Sequence, residues 1–199
     1  MKKITRVLAL FAVSFCFLQV VTAQKIKTTE GDPSVLKNES SINIEFTYEN
    51  LTVGKLTEQE YVKKKTDEYN AKTPGRGDIW AKDWVSDRVN RYEPKFIDLW
   101  MITSQKTIKK DAKYTLIFKT QSIEPGYNIA GGMMLGGRKS ASVDAEVWIV
   151  ETANKSKKIA VITVENAPGG TWTSNDYDAG TRISESYAIS AKKLSKYIY

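Results

Sequence analysis

Val143-Asp144-Ala145-Glu146-Val147-Trp148-Ile149-Val150 decides the fold class. Val143, Ala145, Val147 and Ile149 alternate with Asp144, Glu146 and Trp148, a period of two that places one row of side chains on a core and the other toward water. Just upstream, Tyr114, Leu116 and Phe118 alternate with Thr115, Ile117 and Lys119. Just downstream, Ile159 to Val164 is apolar on both faces, as a strand with neighbours on both sides requires. Asn154-Lys155-Ser156 supplies the turn between the last two strands. Three hairpin-linked antiparallel strands follow.

An earlier strand is expected where Ile42, Ile44, Phe46 and Tyr48 alternate with Asn43, Glu45 and Thr47. Between it and the later strands the period changes. Thr57-Glu58-Gln59-Glu60 spells a capping box, so a helix is predicted from there to about Ala71, ended by Thr73-Pro74-Gly75. Its apolar face is thin (Tyr61, Val62, Tyr69), which puts it on the surface. A second helix starts near Asp78 with a stripe of Trp80, Trp84, Val85, Val89 and Tyr92. Residues 94–104 read as a helix beginning at Pro94 or as a strand, because Phe96 to Ile102 is apolar enough for either. A closing helix from about Asp176 to Ile198 carries Ile183, Tyr187, Ala191, Leu194 and Ile198 on one face. The expectation is an α+β domain: an antiparallel sheet of about four strands with two to four helices packed mainly on one face.

The N-terminus reads differently. Lys2, Lys3 and Arg6 precede an apolar run from Val7 to Val21, and Val21-Thr22-Ala23 places small residues for cleavage before Gln24. The run is shorter than a membrane span needs and contains Ser14 and Gln19. Cys16 lies between Phe15 and Phe17, a poor context for lipidation. The expected organisation is a signal peptide over 1–23, a flexible arm over 24–40 and a single domain over 41–199. Localisation follows as exported, either periplasmic or associated with the outer membrane or extracellular space.

Chemistry is bounded mainly by what is missing. The chain has no histidine, and its one cysteine leaves with the signal. That removes disulfides, thiolate and histidine metal sites, and Ser-His-Asp or Cys-His triads. Without Lys2, Lys3 and Arg6 the chain keeps 27 basic against 23 acidic residues, interspersed, so nucleic acid is not an expected partner. No cofactor, metal or catalytic residue is assigned. Ser190-Ala191-Lys192-Lys193 spells Ser-x-x-Lys without its Lys-Thr-Gly companion, and reads equally as the wet face of a helix. Ser174, Asp176, Asp178 and Glu185 faintly spell a calcium loop, or the acids that start the last helix. Asp83 and Asp87, one turn apart, could clasp a cation, with Lys82 and Arg88 as ordinary surface partners.

From about Ser41 to Tyr199 the pattern resembles a group of small exported bacterial envelope proteins of α+β type with no known reaction. The resemblance rests on Tyr114-Thr115-Leu116-Ile117-Phe118, on Ile123-Glu124-Pro125-Gly126, on the glycine-rich stretch after them, on the Val143–Val150 strand, and on a closing helix with Tyr187-Ala188 and Leu194. No functional residue is carried over from it.

Two surfaces are candidates for binding. Gly131-Gly132-Met133-Met134-Leu135-Gly136-Gly137, followed by Arg138 and Lys139, sets three large apolar residues between double glycines; Met133, Met134, Leu135, Arg138 and Lys139 could contact an envelope protein or a membrane surface, or tuck under a neighbouring loop. Trp80 and Trp84 share a helical face and could stack a sugar or base, or pack on the sheet. The leading functional expectation is a non-catalytic envelope domain that binds a macromolecule or supports assembly. The alternative is a small-ligand or glycan binder using Trp80 and Trp84, and a hydrolase lacking His and Cys is third. Burial of the tryptophans, or their presence in an open cleft, separates the first two.

Overall fold

The computed structural model describes residues 24–128, 138–169 and 178–199. Residues 1–23, expected as a signal peptide, and the Met133–Leu135 stretch lie outside the described residues. The elements are β1 (Lys25–Gly31), a 3-10 turn (Pro33–Leu36), β2 (Ser41–Thr47), β3 (Thr52–Val53), β4 (Leu56–Thr57), α1 (Glu58–Lys72), α2 (Arg76–Asp87), a π-turn (Arg88–Tyr92), α3 (Glu93–Ser104), β5 (Thr107–Ile108), β6 (Tyr114–Glu124), β7 (Tyr127–Asn128), β8 (Arg138–Lys139), β9 (Ala141–Glu151), β10 (Asn154–Gly169) and α4 (Ala179–Ile198).

The α+β class holds, but the sheet is larger than expected and mixed. Its eight strands run β1-β10-β9-β6-β2-β5, with β3 beside β6 and β4 beside β3. Strands β6, β9 and β10 form the expected antiparallel meander. By contrast β2 and β3 lie parallel to β6, and β5 lies parallel to β2. The physical reason is the connection: α1 to α3 separate β2 from β6, and a helical crossover carries the chain back to the end at which β2 began, which makes the next strand parallel. The 24–40 segment, expected as a loose arm, instead supplies β1, paired antiparallel along β10 from Lys25↔Glu165 to Gly31↔Ala160. Backbone pairing and not an apolar pattern places β1, since of its residues only Ile26 packs on the core; Val35 and Leu36 anchor the segment after it.

The alternation settles which face is covered. Ala141, Val143, Ala145, Val147 and Ile149 are all buried, as are Leu116 and Phe118 of β6 and Ala160, Ile162 and Val164 of β10. Against this face lies α4, whose Ile183, Tyr187, Ala191, Leu194 and Ile198 are inaccessible, as its spacing predicted. Full burial of each such aliphatic side chain contributes roughly 1.5–3 kcal/mol. An extra residue bulges β6 near Gln121, and among the register shifts of β10 one lies at Glu165–Asn166, so Ile123 and Ala167 return to the core side. Residues 94–104 are helical: Phe96 and Trp100, four apart, both bury completely against α4 and the sheet.

Candidate ligand-binding cleft

The capping box forms as written: Thr57 Oγ1 accepts the Glu60 N–H while the Glu60 carboxylate accepts the Thr57 N–H at 2.9 Å. None of the α1 side chains is buried, as the thin apolar face implied. Helix α1 folds back on α2 at Gly77, whose N–H donates to Asn70 Oδ1 at 2.7 Å. A Cβ on Gly77 would stand 2.1 Å from the Thr66 carbonyl oxygen, so the two backbones approach as only glycine permits.

This approach sets the aromatic faces of the two helices together. Trp80 and Trp84 lie with ring centroids 5.7 Å apart; Tyr61 sits 6.0 Å from Trp80 and 5.1 Å from Trp84, and Tyr69 lies 5.7 Å from Trp80. The tryptophans therefore pack on α1, where the sequence offered the sheet as their bland alternative. Trp84 is 5% exposed and donates its Nε1–H to Glu58 Oε1 at 2.8 Å. Trp80 stays half-buried, and Arg76 stands 5.3 Å over the Tyr69 ring.

The cluster forms one wall of a cleft of about 840 Å³. Asp83, Asp87, Asn90 and Arg91 of α2 and the π-turn also line it, as do Tyr127, Asp178 and Gly180 from β7 and the start of α4. A volume of this size suits a small organic ligand. Asn90 and Arg91 arrive on the π-turn. Pro94 has no N–H to give and its ring crowds the turn before it; the Glu93 N–H reaches back five residues to the Arg88 carbonyl, and the turn widens.

Most of the charge here is already paired. Arg91 reaches Asp87 at 3.3 Å, contacts Asp178 closely, and donates to Thr181 Oγ1 at 2.8 Å. Burial raises the Asp87 carboxyl above its ordinary range against the pull of Arg91. Burial works the same way on Asp178, but hydrogen bonds from Arg91, Thr181 and the Gly180 N–H outweigh it and hold this carboxyl low. Burial also lifts the Tyr61 hydroxyl to about 12, so it stays a neutral donor. Asp83 and Asn90 are exposed, and neither side chain is engaged by another described residue.

A second concavity, about 880 Å³, opens on the other side of α2 between Phe46, Tyr48, Val85 and Val89. Val85 and Val89, expected to continue the packed stripe, are 52% and 62% exposed there.

The remaining candidates resolve singly. Ser190 is buried and donates to the Ser186 carbonyl at 2.8 Å, while Lys193 is exposed, so the Ser-x-x-Lys spelling is helix packing. Asp178 caps α4 by accepting the Gly180 N–H. Arg88 turns to Glu58 and Arg91 takes Asp87, so the pairing inferred for Asp87 has a different partner. Lys139 pairs with Glu124, and Arg138 contributes backbone to β8. Sequence reasoning did not assign Tyr69, Asn90, Arg91 or Tyr127 to the site. Tyr61 and Tyr69, eight apart on the thin face of α1, were the available signal.

No family model and no curated protein matches the chain. Among solved structures it is similar to a PelC dodecamer from Paraburkholderia phytofirmans, with 9% identity and a TM-score of 0.39 over 87% of this chain and 98% of that one. A substituted PelC dodecamer from the same organism gives 9% identity and a TM-score of 0.34 over 84% and 97%. Likeness this distant carries nothing about function.

Proposed function

We propose that this chain is an exported, non-catalytic envelope protein that binds a glycan in the cleft beside the α1–α2 aromatic cluster. The observation that supports this most is the half-buried Trp80 ring, backed by Tyr61, Tyr69 and Trp84, beside the unengaged Asp83 carboxylate and Asn90 amide. A sugar ring has an apolar C–H face and a hydroxyl edge. An aromatic platform takes the first and carboxylate and amide oxygens accept from the second. Export rests on the residues of the signal segment. Among the described residues no helix is long and apolar enough to cross a membrane.

The raised Asp87 carboxyl favours a second reading, glycoside hydrolysis, which needs a protonated acid facing a second carboxylate. Against it, Arg91 bridges Asp87 and Asp178, so both face a guanidinium and not a leaving group. Titration of the mature protein with cellohexaose and chitohexaose, followed by tryptophan fluorescence, tests the binding reading. Saturable quenching that disappears in Trp80→Ala is the expected result. Release of reducing ends during the same incubation would move the assignment to hydrolysis.

A further inference from the structure

We infer that the cleft is bipartite: Tyr127 forms a second aromatic subsite facing the Trp80 wall, and the ligand is an oligosaccharide long enough to engage both. This rests on the glycan reading of the cleft and specifies what kind of glycan it takes. Tyr127 lines the same cleft from a different element, β7, and is 47% exposed. Its hydroxyl is engaged by no described residue.

Isolated exposed aromatics are common and need no function. Here the backbone beneath the ring is held from several directions. Arg182, itself only 5% exposed, donates Nε–H to the Pro125 carbonyl at 3.0 Å and Nη2–H to the Gly126 carbonyl at 3.4 Å. The Gly126 N–H donates to Glu124 Oε1 at 3.2 Å, and Glu124 is in turn paired with Lys139. Gly126 has φ 64°, and a Cβ there would stand 2.3 Å from the Lys139 carbonyl oxygen, so only glycine fits this turn. Tyr127 then pairs with Lys139 across β7 and β8. These bonds hold the backbone that carries an exposed ring before any ligand arrives, which removes ordering cost from binding. A single sugar ring stacks on one wall; only a chain draws on both.

The test is a ladder of cello- and chito-oligosaccharides, from the monosaccharide to the hexamer, titrated calorimetrically into the mature full-length chain. Affinity is expected to rise by about tenfold at the length that first spans both walls, the worth of one stacked aromatic contact. Tyr127→Ala should remove that step, leave the shortest binding sugars unchanged and leave the melting temperature unchanged. Tyr127→Phe should keep the step. Trp80-dependent binding with no length step, or with a step that survives in Tyr127→Ala, overturns the bipartite cleft while the glycan reading stands. Absence of Trp80-dependent binding along the whole ladder overturns both.

Discussion

Replacing Gly77 by alanine sets two effects against each other, and the structure decides the sign. Alanine is the better helix former by about 1 kcal/mol, so intrinsic propensity alone predicts a more stable protein. Gly77, however, is buried in the first turn of α2 where that helix crosses α1. The new Cβ would meet the Thr66 carbonyl oxygen at 2.1 Å and its carbon at 2.8 Å. These are backbone atoms, so no rotamer change relieves the clash, and the helices must part by about 1 Å in a close-packed interior. Overpacking of this kind costs typically 1–3 kcal/mol. Separation also lengthens the Gly77 to Asn70 hydrogen bond and shifts Trp80 relative to Tyr61 and Tyr69. The expected outcome is a net loss of about 1–2 kcal/mol, read as a fall in melting temperature of roughly 2–8 °C for a chain of this size. A changed near-ultraviolet circular dichroism signal from the Trp80–Trp84 cluster should accompany it. Gly75→Ala is a control of another kind: its φ is 81°, but nothing lies within 4 Å of the new Cβ, so only backbone strain is tested. A Gly77→Ala protein that melts higher than the parent, with an unchanged aromatic signal, would refute the close approach and the cleft wall built on it.

Trp84→Ala should destabilise by about 3–5 kcal/mol because this ring is buried and bonded to Glu58, whereas Trp80→Ala should cost clearly less and act mainly on ligand titrations; urea unfolding of the two variants checks the contrast. Val147→Ala, on the covered face of β9, should lower stability by about 1–3 kcal/mol, and an unchanged denaturation midpoint would mean the face is misassigned. Asp178→Asn keeps an N-cap of equal quality and removes the charge that Arg91 meets. Because the folded carboxyl lies below its ordinary value of 3.8, its contribution is complete above that value and lost as pH falls through the folded one. The stability gap between parent and variant should therefore close on acidification below about pH 4, followed by thermal melts across pH; a gap that widens there contradicts the pairing. Terminal sequencing of envelope-derived protein should begin at Gln24, and a chain retaining Lys2 and Lys3 would count against export by cleavage.

The meander and the closing helix were legible because each carries its burial in its period: Val143 to Val150 shows one face, and Ile183 to Ile198 shows one stripe. Strand direction carries no such mark. Alternation in β2 is the same whether it runs parallel or antiparallel to β6, and the three intervening helices decide it. β1 was illegible for another reason. Lys25-Ile26-Lys27-Thr28-Thr29 offers a single apolar residue, and an edge strand held by backbone pairing, with lysines on its rim, has little pattern to show.

The cleft was half legible, and the π-turn explains which half. Trp84, Tyr92, Phe96 and Trp100 are all buried, at spacings of eight, four and four. On a straight α-helix a series stepping by four drifts about 40° per step, so Trp100 would lie far around the helix from Trp84. A sequence reading that ignores Pro94 must therefore either break the stripe or widen it to include Val85 and Val89. The wide turn at Arg88–Tyr92 adds a residue to one revolution and rotates the phase back, so the burying face continues from α2 into α3. Val85 and Val89 lie off this face and are exposed. The same turn carries Asn90 and Arg91 to the lining of the cleft. The irregularity that keeps the core face continuous is thus also what brings polar groups into the cleft that the Trp80 ring lines, and Pro94 is the one residue in the sequence that announces it.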